Sequence, residues 1–428
     1  MPGATAPSPS SPAFFQSGRN RPMDMARGFA VMGIVLMNII ALSMPKGAYF
    51  NPDAGGGEGL VDRLVWALAF ILVDGKMRGL FSLLFGASMV LLMDRAEMAG
   101  GNGRHRHIVR SFWLALIGFA HYLLLWWGDI LTLYALIGLV ALPLAGKQPL
   151  TLVKLAFLAF GVHFLILIGL MLGIHHVIGA AASADAGPDT IALAAQTLDQ
   201  IGEPGTDAIA RETALYRGSW EAMVAYKANG YLSWGMSNLH YMGLEILGFM
   251  LLGMAMLKGG FLTGTWPREQ YRATARHCFL IGLPPMTGLA IWAWASGFDA
   301  VTTFGVVFAW SFPFRVPLTV GVAALIFTMI SGREPGALLT RIEAVGRLSL
   351  SNYLGTSLIL TALFYGWGFG LFGSVSRAAC YGIVPLVWAL MLLWSYPWIN
   401  RFRYGPAEWI WRSLTLLRPQ PFMRHRAA

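Results

Sequence analysis

The sequence predicts an all-α membrane protein, a polytopic bundle of about ten transmembrane helices with both termini in the cytoplasm. Of the 428 residues, 56% are hydrophobic and 12% charged, whereas a soluble domain carries about 25% charged residues. The apolar residues come in blocks of roughly 20, the length that crosses a hydrocarbon core of about 30 Å. Lys and Arg residues cluster in alternate loops, the pattern typical of loops kept in the cytoplasm.

The ten predicted spans follow these apolar blocks in chain order. An even number of spans places both termini on one side, and the basic loops predict that this side is the cytoplasmic face of the cell inner membrane. The spans lie at roughly 25–43, 69–93, 108–127, 129–146, 151–176, 239–257, 276–296, 303–330, 347–367 and 379–397.

Three regions follow from this assignment. Residues 1–20 are rich in Pro and Ser and predict a disordered tail. Residues 21–400 form the ten-helix domain, and residues 401–428 form a basic cytoplasmic tail. The long connection 179–238 lies on the outer face and contains segments whose sequence can form helices. It therefore either covers a site or is a solvated insertion.

Composition also argues against several function classes. The net charge of +10 lies in alternate loops, a pattern that favours orientation in a membrane over binding of nucleic acid. The two cysteines, Cys278 and Cys380, make no disulfide framework, and no motif has metal-ligand spacing, so no metal is expected.

The stretch "VDGKMRGLFSLLFGAS", residues 73–88, places three charges inside an apolar run. A charge at the bilayer centre costs about 3 kcal/mol on insertion scales, so these residues are candidates for function. Asp74 and Arg78 have the i,i+4 spacing that pairs side chains on a helix, and Gly75 and Gly79 permit a close helix approach. Alternatively, the charges mark the outer end of a span and face lipid headgroups, or the residues before Arg78 form a separate interfacial segment.

Further polar residues lie inside the other spans. In "RGFAVMGIVLMN", Arg27 and Asn38 share one helix face, which either lines a substrate path or holds a snorkelling Arg and an interhelical Asn. In "HYLLLWWGDILTLYALIGL", His121 lies about two turns below a tight turn at Asp129. A His oriented by a carboxylate is a usual general acid/base, although a lone His in a span is often only a hydrogen-bond donor. The remaining candidates for substrate binding are Glu245, Arg347 and Asn352.

Five stretches together resemble the YeiB-like family of bacterial inner-membrane proteins, defined by domain of unknown function 418. They are "RGFAVMGIVLMNIIALSMPKGAYFNP", "FSLLFGAS", "HYLLLWWGDILTLYALIGL", "RLSLSNYLGTSLILTALFYGWGFGLFG" and "GPAEWIWRSLTLLRPQP". The resemblance implies a fold similar to the transmembrane acyltransferases, which include heparan-α-glucosaminide N-acetyltransferase. Arg27 and Asn38 match that group's first span, while approximately Tyr49 stands where the heparan enzyme has a catalytic His.

The resemblance implies an acyltransferase that uses acetyl-CoA or another acyl-CoA from the cytoplasm. The acceptor would be a sugar, glycan or envelope component on the outer face. His121 would act as general base, oriented by Asp129 or Asp74, and Arg27 and Arg347 would receive the donor phosphates. Asn38 and Asn352 would position the thioester carbonyl.

Two other functions stay open. In a transporter or flippase of a small or lipidic substrate, Asp74, Arg78 and Glu245 would be pathway charges. A non-catalytic scaffold is the third interpretation. Membrane lipid is an expected partner in each case, and a homodimer is compatible with all of them.

Overall fold

The structure is a computed structural model that describes residues 20–55, 57, 59–331 and 335–424. Most of the predicted disordered tail 1–20, and the last four residues of the basic tail 401–428, lie outside the described residues. The described chain forms seventeen α-helices and no extended β-strand. The helices, numbered α1 to α17 in chain order, are Arg21–Ser43, Lys46–Phe50, Leu60–Leu72, Lys76–Met98, Gly103–Leu124, Leu131–Ala141, Pro149–Ala181, Pro188–Ile201, Asp207–Arg217, Trp220–Lys258, Arg268–Ala295, Ala300–Gly305, Phe312–Ile330, Ala337–Arg347, Ser349–Phe364, Arg377–Arg401 and Pro406–Thr415.

The helices confirm an all-helical membrane protein. Within the described residues, seven helices are long and apolar enough to cross a bilayer, and these are α1, α5, α7, α10, α11, α13 and α16. The other three predicted spans coincide with α4, which carries charges at both ends, and with the shorter α6 and α15. The count of ten spans and the cytoplasmic location of the termini therefore stay predictions.

Helices α7 and α10 extend well beyond a bilayer. With 33 and 39 residues, they measure roughly 50 and 58 Å at 1.5 Å per residue. The connection predicted at 179–238 is accordingly mostly helical. It holds α8, α9 and the first turns of α10, which begins at Trp220 rather than near residue 239.

The predicted span 69–93 is two helices rather than one. Helix α3 ends at Leu72, and α4 begins at Lys76 after Gly75, whose φ is 72°. An L-residue with a side chain rarely adopts this positive φ. A Cβ at position 75 would also lie 2.4 Å from Cδ of Arg315, so both the backbone and the neighbouring helix require glycine here.

A second interruption divides the predicted span 303–330. The short helix α12 passes into a π-helical turn over Val306–Trp310, and α13 begins at Phe312. Such π turns are rare and often occur at functional sites. Here the carbonyl of Phe308 accepts a 2.8 Å hydrogen bond from Nη2 of Arg315, so the turn provides a partner for a buried charge.

Helices α4 and α10 run in the same direction and cross in close contact. A Cβ at Gly86 would lie 2.1 Å from the Met250 carbonyl oxygen, and one at Gly253 would lie 1.9 Å from that of Leu83. Only glycines permit this approach of two backbones. Eight residues before each glycine, about 12 Å along each helix, lie Arg78 and Glu245, which the crossing therefore brings opposite each other.

We predict that Gly75→Ala destabilises the protein by about 1–3 kcal/mol, because alanine there combines an unfavourable φ with a collision against Arg315. Thermal unfolding of the purified protein in detergent measures the loss. Gly288→Ala is the matched control, since Gly288 lies within α11 and a Cβ there would meet no atom within 4 Å. Equal melting temperatures for the two variants would contradict the prediction.

Candidate functional site

A large cavity occupies the end of the bundle where α1 and α5 begin and α4 and α16 end. Its volume is about 640 Å³. Asn20 and Leu416, near the two ends of the described chain, both line it, so both ends lie on the same side of the bundle. Because seven arginines line it, we call it the arginine cavity, and these residues are Arg27, Arg95, Arg106, Arg110, Arg347, Arg403 and Arg412.

The last helix, α17, forms one wall of the arginine cavity. Glu408 holds it in place, because its carboxylate accepts hydrogen bonds from the amides of Leu350 and Ser351 at 2.7 and 3.1 Å. The Ser351 hydroxyl donates a third at 2.5 Å. Burial raises the pKa of Glu408, and these hydrogen bonds oppose the rise. The carboxylate thus caps the N-terminus of α15, where the helix dipole favours negative charge.

A second contact fixes α17 against α5. The guanidinium of Arg110 lies 3.8 Å from the ring centre of Trp411, and the Trp411 indole donates to the Arg110 carbonyl oxygen at 2.9 Å. Such a cation–π contact adds about 0.5–2 kcal/mol. The C-terminal helix therefore joins the two helices, α5 and α15, that carry the groups at the deep end of the cavity.

The arginine cavity extends far into the bundle. On α5 it is lined by Arg106, Arg110 and Leu114, and its deep end is formed by Tyr134 and Tyr353 together with Ile130 and Leu131. Tyr353 separates the cavity from His121, since the two rings pack with their centres 5.1 Å apart. The cavity thus ends one aromatic ring away from His121.

His121 and Asp129 form the predicted pair. Nδ1 of His121 lies 2.9 Å from Oδ1 of Asp129, and the second carboxylate oxygen accepts from the Thr132 amide at 3.0 Å. Both side chains are fully buried. Nε2 of His121 has no hydrogen-bond partner in the described part of the chain. A His fixed by a carboxylate at one nitrogen and unoccupied at the other can exchange a proton with a third group.

Asp74 lies elsewhere and does not orient His121. Its Oδ1 accepts a 2.5 Å hydrogen bond from the Tyr49 hydroxyl. Both residues line a small separate cavity of about 30 Å³, which we call the Asp74 cavity. Its other polar residues are Arg377 and Tyr381, and its apolar walls come from α1, α3 and the π turn.

The predicted pair of Asp74 with Arg78 is wrong. Arg78 instead binds Glu245, with Nη2 at 3.0 and 3.2 Å from the two carboxylate oxygens. The i,i+4 rule applies only within a helix, and α4 begins at Lys76, so Asp74 precedes it. The predicted close helix approach at Gly79 is confirmed, because a Cβ there would lie 2.8 Å from Oγ1 of Thr319.

Arg315, a buried charge, was not among the sequence candidates, whereas Lys76 was one of the three charges noted in residues 73–88. Arg315 is 4% exposed and interacts electrostatically with Glu245 and Asp74. Lys76 is fully buried and donates to the Phe70 carbonyl oxygen at 2.5 Å. The sequence could have indicated Arg315 as a candidate, since it is an isolated charge inside the apolar stretch "SFPFRVPLTV".

The other candidate substrate-binding residues fall into two groups: some line the arginine cavity, and others lie in helix contacts outside it. Arg27 and Arg347 line the arginine cavity, and Arg27 also binds Asp24 at 2.6 Å. Asn352 is buried outside it, where its amide contacts Val345, Ser395 and Trp394 and so joins α14, α15 and α16. Asn38 is half-buried on α1 and lines neither cavity. The substrate roles of these residues stay predictions.

Fold and site together define a polytopic helical membrane protein with an arginine-lined cavity at one end and buried ion pairs within the bundle. The chain belongs to the YeiB-like family: the model of the family described as "Protein of unknown function (DUF418)" matches residues 256–418. It is 32% identical to "Uncharacterized protein YeiB" of Escherichia coli (strain K12) over 402 residues, 93% of this chain and 96% of that protein.

A second relative extends this similarity. The chain is 30% identical over 411 residues to "Uncharacterized protein YxaH" of Bacillus subtilis (strain 168), which covers 94% of this chain and 95% of the relative. No solved structure matches the chain.

We predict that Arg78→Ala and Glu245→Ala each destabilise the protein by about 3–5 kcal/mol, because each leaves the partner charge buried without compensation. The double variant should lose less than the sum of the two single losses. Chemical unfolding of all four proteins in detergent provides this comparison. Strictly additive losses would show that the pair contributes no coupling.

Proposed function

We propose that the protein is a membrane acyltransferase that moves an acyl group from an acetyl-CoA-like donor to an acceptor on the opposite face. The observation that carries this proposal is the arginine cavity, which leads from a basic mouth to within one ring of the His121–Asp129 pair. The mouth of the cavity is predicted to open on the cytoplasmic face, which is the side where acyl-CoA is available.

The charge of the cavity fits a donor that carries several phosphates. Seven arginines face two acidic residues, Asp24 and Glu408. Asp24 is already paired with Arg27, and Glu408 is occupied by α15. Guanidinium groups bind phosphate in bidentate geometry, and several of them can neutralise the charge of a nucleotide diphosphate. Neither nucleic acid nor a metal is part of this proposal.

The deep end of the cavity fits an acyl thioester. Its walls there are mainly apolar or aromatic, with Phe81, Phe85, Ile130, Tyr134 and Tyr353 among them. In the proposed reaction an acceptor hydroxyl or amine attacks the thioester carbonyl. A new bond to the acyl carbon forms, the carbon–sulfur bond breaks, and the acceptor proton passes to Nε2 of His121 and then to the leaving thiolate.

Tyr353 has a gating role in this scheme. It lies between the cavity and His121, so a rotation of its side chain is needed before the imidazole reaches a donor. Asn352, its neighbour on α15, is held by three hydrogen bonds from or to neighbouring groups. This anchoring keeps the backbone fixed while the tyrosine ring moves.

We predict that the purified protein binds acetyl-CoA and that the double variant Arg106→Gln/Arg347→Gln binds it at least about tenfold more weakly, because two charge-assisted contacts are lost. Isothermal titration calorimetry gives both affinities. Arg272→Gln is the control, since Arg272 is exposed on α11 away from the cavity. Absence of acetyl-CoA binding by the wild-type protein would refute the proposed donor.

We predict that His121→Gln and Asp129→Asn lower acyl transfer by about 10²–10⁴-fold, the usual contribution of a general acid/base, with little change in acetyl-CoA affinity. Transfer of radiolabelled acetyl groups to membrane or envelope fractions gives the rate, and calorimetry gives the affinity. Full transfer activity of His121→Gln would remove this residue from the mechanism.

A transporter or flippase is the second candidate. The observation that favours it is the set of buried charges on α4, α10 and α13, since ionisable groups inside a membrane often mark a substrate or ion path. The two functions differ in their need for a donor. Substrate flux into proteoliposomes without any acyl-CoA would favour transport.

A further inference from the structure

The Asp74 cavity lies apart from the arginine cavity, and the two share no lining residue. Its polar residues come from α2 (Tyr49), the break before α4 (Asp74) and the start of α16 (Arg377 and Tyr381). These positions lie at the ends of their helices opposite to the arginine cavity. The cavity is therefore a second polar site on the other side of the bundle.

Two groups in this cavity have hydrogen-bonding capacity left over. Asp74 is half-buried, and within the described part of the chain it accepts a hydrogen bond only at Oδ1, from the Tyr49 hydroxyl. Arg377 is 2% exposed and donates through Nη2 to the Ala48 carbonyl oxygen. Its Nε, however, is buried without a partner in the described residues. A buried donor left in this state costs roughly 1–3 kcal/mol, which points to a ligand atom or a water beside it.

The chemistry of these two groups selects a class of ligand. A free carboxylate oxygen requires a donor, and a free guanidinium N–H requires an acceptor, so the complementary group has both. A hydroxyl fits. A protonated amine is repelled by Arg377 and by Lys76, Arg78 and Arg315, which all interact electrostatically with Asp74. An anion without a hydrogen has nothing to donate to the Asp74 carboxylate.

The size of the cavity agrees with this choice. A volume of about 30 Å³ exceeds the roughly 10–15 Å³ needed to hold one water and accommodates one hydroxyl group. The stacked rings of Trp66 and Phe70 line the apolar side. A carbon skeleton that carries the hydroxyl can therefore rest against aromatic rings, as sugars and polyols do.

We propose that the Asp74 cavity is an anchoring site for one hydroxyl group of a neutral polyol ligand, bound between Asp74, with its partner Tyr49, and Arg377. This inference goes beyond the proposed function and does not rest on it, because the Asp74 cavity lies apart from His121 and shares no residue with the arginine cavity. No bond forms or breaks at the anchoring site. The hydroxyl belongs either to a soluble polyol or to a lipid headgroup such as that of phosphatidylglycerol.

Donor-free protein in phosphatidylcholine nanodiscs tests the site without any transfer reaction. The probes are glycerol and 3-amino-1,2-propanediol, which differ by one hydroxyl replaced with an ammonium group. Saturation-transfer difference NMR should show glycerol binding and weaker binding of the amine. Asp74→Asn should weaken glycerol binding at least about tenfold, as expected when a hydrogen bond to a charged group is lost.

Three controls make the outcome decisive. Tyr49→Phe should give a smaller loss than Asp74→Asn, whereas the exposed Glu221→Gln should bind glycerol like the wild type. Unchanged acetyl-CoA affinity shows that a variant is folded. No glycerol signal in the wild type, equal signals in Asp74→Asn, or preference for the amine would overturn the proposal and leave a cavity that holds water only.

The same experiment separates the sources of the hydroxyl and the two proposals. If phosphatidylglycerol in the nanodisc suppresses the glycerol signal, the headgroup occupies the site; if it does not, the ligand is soluble. Glycerol binding without acetyl-CoA binding would refute the acyltransferase and retain the polyol site. The reverse result would retain the donor cavity and refute the anchoring site.

Discussion

The bundle depends on one constraint: charged side chains inside an apolar protein need partners that the protein itself supplies. Arg78 meets this constraint through Glu245 across the crossing of α4 and α10. Lys76 and Arg315 use backbone carbonyls instead, and both carbonyls lie at interruptions of the helices, near the end of α3 and in the π turn. The irregular segments are thus the places where the backbone offers acceptors that a continuous helix would keep for itself.

This layer of charges separates two polar spaces of different size and character. On one side lies the arginine cavity, which is large and strongly basic. On the other lies the Asp74 cavity, which is small and is lined by one carboxylate and one guanidinium. Tyr134 links the layer to the larger space, since it lines that cavity and donates to the Arg78 carbonyl oxygen at 3.2 Å.

The sequence predicted the class, most span positions and the His121–Asp129 pair, because hydropathy and a short turn between two helices are local properties. Prediction from the sequence failed where the meaning of a residue spacing depends on the residue at which a helix begins. The i,i+4 spacing of Asp74 and Arg78 lost its meaning once the helix started at Lys76. Charge bias predicted arginines at one end of the spans, but their arrangement around a cavity depends on how distant helices pack. Nothing local to Tyr353 indicates that its ring lies between that cavity and His121.

The position of α17 in the chain has a consequence for biogenesis. Five residues of α17 and the turn after it line the arginine cavity, and these are Glu408, Trp411, Arg412, Thr415 and Leu416. Glu408 also caps a helix that begins about 60 residues earlier in the chain. The described membrane-spanning helices precede α17 in the chain, so they leave the ribosome before this wall exists. A ribosome that stalls before residue 406 would therefore insert a bundle with an open basic cleft, so the cavity wall is completed only after the helices that it joins.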